Sequence, residues 1–442
     1  MTFVNVIAVL GYISTLVYIF KKYPWSFPIF AYLSLPQLWA LVSCFYNDLG
    51  VYNFELFRYT VPSLATTRLA IFYVIFNAGF ILLARLLERH HLVKRDYRLK
   101  DITLQLGYFK LMAYVLIGTA ILFLYYKLSA DGIPALMGVA RHRYLEEAGP
   151  LAHILLNYGA LIAFALGLFR RSRGRFSVNG IVFLAIFVYA IAVGHKSSHL
   201  MLITTAYFTP IFIRYLAGQS TFSLFRPKYM LAGLVAAMLV VGFAFATYYY
   251  VSRDHTFART LLIDRIFAGQ GEIWWAVDQM GESLNGAYDP GHWQDELDYI
   301  LSPGTTPAED VGMRYLMVRI LGPEKAYAIF DAGVMYTMAY PAILIATFPY
   351  PVAILIQFLA GMVMALMLYY LRYCLIYRHH LRSLVMILVV FPYVAMLFTG
   401  NFYVFFTLGM AVKIGILIGA ETGFFGLMPS TAQPRGSDSL PA

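Results

Sequence analysis

Long apolar runs, separated by short polar stretches, dominate the pattern of the chain. A run of about 17–25 apolar residues is long enough to cross the hydrocarbon core of a bilayer as a helix. Runs of this kind recur along nearly the whole chain, so the pattern predicts an all-α polytopic membrane protein with about 11 transmembrane helices. We place these spans at 3–20, 27–46, 66–85, 107–126, 151–169, 176–193, 200–217, 230–251, 350–371, 383–399 and 403–420.

The polar stretches between these runs carry different charge on the two sides of the predicted membrane. Most of the 33 Lys and Arg residues lie on one side, in basic stretches such as 85–100, 170–175 and 371–382. Loops rich in Lys and Arg stay in the cytoplasm, so this side and the C-terminus are predicted to be cytoplasmic. An odd number of spans then places the N-terminus outside.

The segment 252–335 is an external loop that is much longer than the others. It carries more than half of the 23 acidic residues, and a loop of this length with its own apolar residues is expected to be functional and to contain short helices. The apolar run 336–349 is predicted to dip into the membrane, because a full span there would place the basic stretch 372–382 outside. The predicted organisation is an N-terminal transmembrane bundle at 1–251, the loop with its membrane-dipping segment at 252–349, C-terminal transmembrane helices at 350–420 and a disordered cytoplasmic tail at 421–442.

The composition supports the membrane assignment and excludes a soluble class. Hydrophobic residues make up 60% of the chain and charged residues 13%, whereas a soluble domain carries about 25% charged residues. The net charge of +10 comes from Lys and Arg in the predicted cytoplasmic loops. Basic residues in this position direct membrane insertion and attract anionic lipids, so they do not indicate nucleic-acid binding. The first apolar run lacks the features of a cleavable signal peptide. Cys44 and Cys374 fall near opposite membrane faces, so no disulfide is expected between them.

The external stretches share a cationic character that points to an anionic ligand. The sequence GHKSSH (194–199) separates two predicted spans with almost no room for a loop, and a charge there is costly unless it is needed. Guanidinium groups bind phosphate oxygens in pairs, and lysine adds a point charge. The diphosphate of a polyprenyl-linked sugar is the ligand that these cations suit. The external cations that could converge on it are Arg141, Arg143, Lys196, Arg253, Arg259 and Arg265.

Structural roles for the same residues stand beside this interpretation. Lys196 can extend from a tight turn to the interface, and Arg141 and Arg143 can pair with Glu146 and Glu147. The Arg–Asp pairs at 253/254 and 264/265 can be surface ion pairs of little energetic value. Trp274 and Trp275 can be an interfacial anchor or a loop core instead of a sugar platform.

The chain resembles the Wzy-type O-antigen polymerases, which join oligosaccharide repeat units in bacteria. The resemblance rests on the topology and on short features: the Arg-rich R-H-R-Y at 141–144, the turn Gly194–Ser198, the Arg-led start of the large loop, and an element formed by Asp331, Gly333 and Tyr336. Relatives often carry arginine in the turn, where this chain has Lys196. The O-antigen ligases are similar in the same respects.

The resemblance implies a GT-C-like inverting glycosyltransferase of the bacterial inner membrane that needs no cofactor or metal. Its substrates would be undecaprenyl-diphosphate-linked glycans, and a polysaccharide chain-length regulator would be a further partner. External candidates for the general base are His195, His199, Asp254, His255, Glu272 and Asp278, and we favour Glu272 and His255 because basic and aromatic residues surround them. The residues predicted to bind the lipid diphosphate or sugar are Arg141, Arg143, Tyr144, His195, Lys196, Arg253, Arg265, Arg314, Asp331 and Tyr336.

Other functions also fit the pattern. An O-antigen ligase would use the same donor with a lipid A-core acceptor. A metal-dependent GT-C transferase would need an external acid early in the chain, where Asp48 and Glu55 lie. A lipid-linked oligosaccharide flippase would need polar residues at the bilayer midplane, whereas these spans are apolar through their centres. A structural partner of a polysaccharide assembly complex is a further alternative.

Overall fold

The computed structural model describes most of the chain, and the account below refers to the described residues. These are 1–53, 56, 58–89, 107–134, 144, 150, 152, 155, 158–169, 178–193, 197–218, 242, 259, 263–280, 288–302, 304–331, 338, 340–377 and 379–421, without the side chains of 107–116, 131, 197, 198, 420 and 421. This part of the chain is almost entirely helical, which confirms the all-α prediction.

The N-terminal part consists of three long apolar helices and the short connections between them. Helix α1 spans Thr2–Lys22, a 3₁₀ turn follows at Pro24–Ser26, and α2 spans Phe27–Asn47. After α2 the chain forms a small hairpin of two-residue strands, β1 (Tyr52–Asn53) and β2 (Arg58–Tyr59), and then enters α3 (Ala65–Arg89). The hairpin is therefore held at the end of the bundle where α2 stops and α3 starts.

Four further helices follow in the middle of the chain. They are α4 (Gly107–Asp131), α5 (Gly159–Leu168), α6 (Val178–Ala192) and α7 (Ser197–Leu216). Helix α7 packs closely on α5 and also contacts α2 and the long helix at Tyr350–Ile376. Glycine permits the close approach of α5 and α7, because a Cβ at Gly167 would overlap the carbonyl of Tyr207.

The described part of the segment 252–335 contains short helices, and these pack on the ends of the long ones. They are α8 (Glu272–Gln279), α9 (His292–Leu301), a 3₁₀ turn (Ala308–Asp310), α10 (Gly312–Leu321) and α11 (Pro323–Asp331). Helix α12 (Tyr340–Thr347) lies in the run that was predicted to dip into the membrane, and all eight of its residues are buried. At about 1.5 Å per residue it is too short to be a full span.

Three helices complete the described chain. They are α13 (Tyr350–Ile376), α14 (His380–Thr399) and, after a 3₁₀ turn at Phe402–Val404, α15 (Leu408–Glu421). Helix α13 lies against α3 along most of its length. At this crossing Gly79 of α3 lies against the backbone of α13, and Gly361 of α13 lies against the backbone of α3. A Cβ at Gly79 would overlap the carbonyl oxygen of Phe358, and one at Gly361 would overlap that of Phe76. Small residues of this kind let two membrane helices approach backbone to backbone.

Among the described residues, five helices are long and apolar enough to cross a membrane. They are α1, the unit from Pro24 to the end of α2, α3, α13 and α14, and each coincides with a predicted span. The described parts of α4, α5, α6 and α15 are shorter apolar helices that overlap four other predicted spans, and α7 overlaps the span predicted at 200–217. The span predicted at 230–251 lies outside the described residues, except for Gly242, so the count of eleven stays a prediction.

The helix ends form two groups at opposite ends of the bundle, with the same membership that the charge pattern predicts. One group, which we call the inner end, brings together Lys22, Glu88, Ala217 and Arg372. The other group, which we call the outer end, joins the end of α2 and the start of α3 through α8, and the start of α13 contacts α3 there through Tyr350 and Phe72. Cys44 and Cys374 are both free and buried. The assignment of the inner end to the cytoplasm stays a prediction.

Cysteine labelling tests this orientation. In a chain with Cys44 and Cys374 replaced by alanine, we expect a membrane-impermeant maleimide to label Tyr59→Cys in intact spheroplasts, because Tyr59 is 74% exposed at the outer end. Lys21→Cys should become labelled only after permeabilisation. Labelling at position 21 but not at 59 in intact spheroplasts would reverse the orientation.

Candidate functional site

The start of α8 is bound to α2 at the outer end by hydrogen bonds. Glycine at position 271 allows the two backbones to approach closely. Ser43 Oγ donates to the carbonyl of Ala268 at 2.5 Å and accepts from the backbone N–H of Gly271 at 2.8 Å. Asn47 Nδ2 donates to the same carbonyl at 3.2 Å. A Cβ at Gly271 would overlap the backbone nitrogen of Cys44. These contacts fix where α8 begins.

Helix α8 lies at the centre of the outer end, between α2, α3, α10 and α12. Its two tryptophans, Trp274 and Trp275, are both buried. From the sequence, either a sugar-binding role or a place in the core of the loop was possible for them. Trp274 Nε1 donates to the carbonyl of Ala65 at 2.8 Å, and its ring lies 5.3 Å from that of Phe72. The guanidinium of Arg58 lies 5.4 Å from the ring centre of Trp275. Trp274 and Trp275 are therefore part of the core at the outer end, and Arg58 lies against Trp275.

The end of α8 is joined to α3 by a buried ion pair. Arg68 donates from Nε to Asp278 Oδ1 at 2.5 Å and from Nη2 to Oδ2, so the fork of the guanidinium matches the carboxylate. The side chain of Asp278 is 1% exposed and that of Arg68 is 27% exposed. Two of the five guanidinium N–H groups are used in this way, which leaves three not engaged with Asp278.

Arg58 is the second cation of this junction. It extends from β2, is exposed to solvent, and lies over the indole of Trp275. Arg58 and Arg68 are therefore the described cations that the fold directs toward α8, and we call Arg58, Arg68, Trp275 and Asp278 the arginine junction.

Asp48 has a different role from the one the metal-dependent alternative gave it. Its carboxylate accepts from Thr66 N at 3.0 Å, Thr66 Oγ1 at 2.7 Å, Ser63 Oγ at 2.5 Å and Asn5 Nδ2 at 3.0 Å. It thus binds the start of α3, where a carboxylate is favourable, and it ties α1 to the same point. Glu55 lies outside the described residues. Among the residues that are described, no group of three His, Cys, Asp or Glu could hold a metal ion.

Several predicted site residues are described, and they lie in different surroundings. Glu272 is the first residue of α8 and is 0% exposed. Arg265 is half-buried just before α8, and Tyr144 is buried. Arg314 lies on α10 with its guanidinium 5.3 Å from the ring centre of Phe330, and Asp331 is exposed at the end of α11. Of these residues, Glu272 shares α8 with the arginine junction.

The remaining predicted site residues lie outside the described part of the chain, so their convergence stays a prediction. They are Arg141, Arg143, His195, Lys196, Arg253, His255 and Tyr336.

A second polar cluster holds α9 and α10 together. The rings of His292 and Tyr315 stack at 3.7 Å, and Tyr315 donates its hydroxyl proton to Asp289 at 2.8 Å. This bond lowers the pKa of Asp289, and burial with the same bond raises that of Tyr315. Glu296 accepts from the backbone N–H of Gly312 at 2.5 Å. The cluster joins α9 to α10, so we interpret it as a scaffold that holds these short helices together.

Residues 306–414 match the model of a family of unknown function (DUF6418), and this region runs from just before the 3₁₀ turn at Ala308–Asp310 into α15. No curated protein and no solved structure matches the chain.

Proposed function

We propose that the protein polymerises undecaprenyl-diphosphate-linked oligosaccharide repeat units on the periplasmic face of the inner membrane, as a GT-C-like inverting glycosyltransferase. The observation that carries the proposal is the arginine junction, where Arg58 and Arg68 lie at the outer end beside buried acids and a tryptophan. Such a site suits a lipid whose diphosphate lies at the membrane surface while its glycan extends into the external space.

The leaving group sets the main chemical demand on such an enzyme. The acceptor hydroxyl attacks the anomeric carbon, the carbon–oxygen bond to the diphosphate breaks, and negative charge accumulates on the departing diphosphate. Donors held in position before the reaction stabilise this charge most effectively. Arg68 is held by Asp278 with N–H groups to spare, and Arg58 is held against Trp275. Both would bind the diphosphate, together with the proposed ligands Lys196 and Arg265.

The acceptor hydroxyl must lose its proton as the new bond forms. Glu272 and His255 stay our candidates for the base. Glu272 is fully buried at the start of α8, so this role requires the outer end to open when the acceptor binds. A chain-length regulator remains the protein partner that we propose, because polymerisation needs a limit.

Loss of the gene tests the proposed reaction directly. We expect a deletion strain to make lipopolysaccharide that carries a single repeat unit on its core, visible as loss of the ladder on a gel. Complementation with the intact gene should restore the ladder. A bare core with accumulated lipid-linked polymer would instead indicate a ligase, and an unchanged ladder would contradict both functions for this polymer.

A further inference from the structure

A pocket of about 280 Å³ lies at the inner end, far from the arginine junction. The ends of four helices surround it, namely α1, α3, α7 and α13, and the 3₁₀ turn after α1 contributes to its wall. Its lining combines charged groups with an apolar side. The lining residues are Lys22, Pro24, Trp25, Glu88, Ile213, Leu216, Ala217, Arg372 and Ile376.

One cation of the pocket, Arg372, is held in a fixed position. Its Nη1 lies 3.6 Å from Glu88 Oε1, and its guanidinium lies 5.5 Å from the ring centre of Trp25 and 5.8 Å from that of Tyr369. Trp25 Nε1 donates to the same Glu88 oxygen at 2.9 Å. Guanidinium planes stack on aromatic faces in this way, so Arg372 is oriented before any ligand arrives.

The second cation, Lys22, is exposed at the last turn of α1. Within the described part of the chain no carboxylate lies at ion-pair distance from it. Among the described residues that line the pocket, Glu88 is the one acid, against two cations. The lining therefore carries a net positive charge that suits a phosphate.

The apolar side of the pocket distinguishes a lipid from a free anion. Ile213, Leu216 and Ile376 line it at the ends of two apolar helices, and Leu216 is 42% exposed. A phosphate that bound between Lys22 and Arg372 would leave an attached glycerol and acyl chain beside these residues. Basic pockets between membrane helices bind anionic lipid headgroups in this manner.

We infer that the inner-end pocket binds the headgroup phosphate of an anionic phospholipid, with Lys22 and Arg372 as ligands and Ile213, Leu216 and Ile376 against the acyl chain. This site is separate from the arginine junction, and it does not depend on the proposed transferase activity. It would fix the ends of α1, α3, α7 and α13 relative to one another in the lipid that they share.

Native mass spectrometry of the purified full-length protein, titrated with dioleoylphosphatidylglycerol after delipidation, tests the inference. We expect Lys22→Gln to weaken the first binding step about fivefold and Arg372→Gln about tenfold, which corresponds to about 1 and 1.4 kcal/mol. The matched control is Lys21→Gln, because Lys21 is the adjacent exposed cation but does not line the pocket. It should change the affinity by less than twofold.

Three results would overturn the inference. One is an equal effect of Lys22→Gln and Lys21→Gln, which would indicate a general surface attraction. Another is equally tight first-step binding of dioleoylphosphatidylcholine, which lacks the net charge. The last is displacement of the lipid by millimolar inorganic phosphate, which would assign the pocket to a free anion. Lys22 is exposed, so its variant is expected to fold even where Arg372→Gln does not.

Discussion

Replacing Gly79 or Gly361 by alanine is expected to cost a large part of the stability of the membrane bundle. A methyl group at either position would overlap a backbone carbonyl of the facing helix, that of Phe358 or of Phe76. A side chain can rotate away from such an overlap but a backbone cannot, so α3 and α13 would have to separate. We expect about 3 kcal/mol for each variant, which is a large part of an ordinary folding free energy of about 5–15 kcal/mol.

The measurement is an unfolding titration of the purified protein in mixed micelles, and Gly11→Ala is the control. Gly11 also lies in a long apolar helix, but nothing stands within 4 Å of the position its Cβ would occupy. Alanine there should be neutral or slightly stabilising. The double variant should cost less than the sum of the two, because one separation of the helices relieves both overlaps. Equal stability of Gly11→Ala, Gly79→Ala and Gly361→Ala would contradict the close crossing.

The sequence predicted the elements that depend on local composition. Apolar length located α1, α2, α3, α13 and α14, because a membrane span needs a continuous run whatever it packs against. The charge pattern predicts which ends of these helices face the cytoplasm, and that assignment stays a prediction. The run 336–349 was predicted not to be a full span, on the ground that the next basic stretch had to stay inside, and its described part contains the eight-residue α12.

The contacts that define the outer end could not be read in the same way. Arg68 and Asp278 are 210 positions apart, and nothing near either residue indicates its partner. Arg58 was not predicted to be part of a site, since its significance depends on the position of Trp275. Likewise, the sequence does not show that Gly79 and Gly361 lie at a helix crossing, because that depends on how α3 and α13 are aligned. Long-range packing decides each case, and a periodic pattern carries no information about it.

Removal of the Arg68 side chain is expected to have the second large effect, on both stability and activity. Arg68→Ala leaves the Asp278 carboxylate buried, at 1% exposure, without its guanidinium partner. Breaking a buried pair from one side costs about 3–5 kcal/mol, and the partial exposure of Arg68 places this case at the lower limit. Asp278→Ala should cost less, because the guanidinium that remains is 27% exposed and can be hydrated. Urea or detergent unfolding of the two variants measures this asymmetry.

Activity separates a diphosphate ligand from a merely structural arginine. If Arg68 binds the leaving diphosphate, Arg68→Ala should lower the transfer rate per folded molecule by about 10- to 100-fold, since a hydrogen bond to a charged group contributes about 1.5–3 kcal/mol. Arg68→Lys should recover only part of this loss, because a point charge cannot hold Asp278 and a phosphate as a fork does. Asp278→Asn keeps the arginine and should act through its orientation, with a smaller loss in kcat. These rates are measured with a purified lipid-linked repeat unit. A normal rate for folded Arg68→Ala protein would exclude Arg68 from the proposed site, and its role would then be to bind α8 to α3.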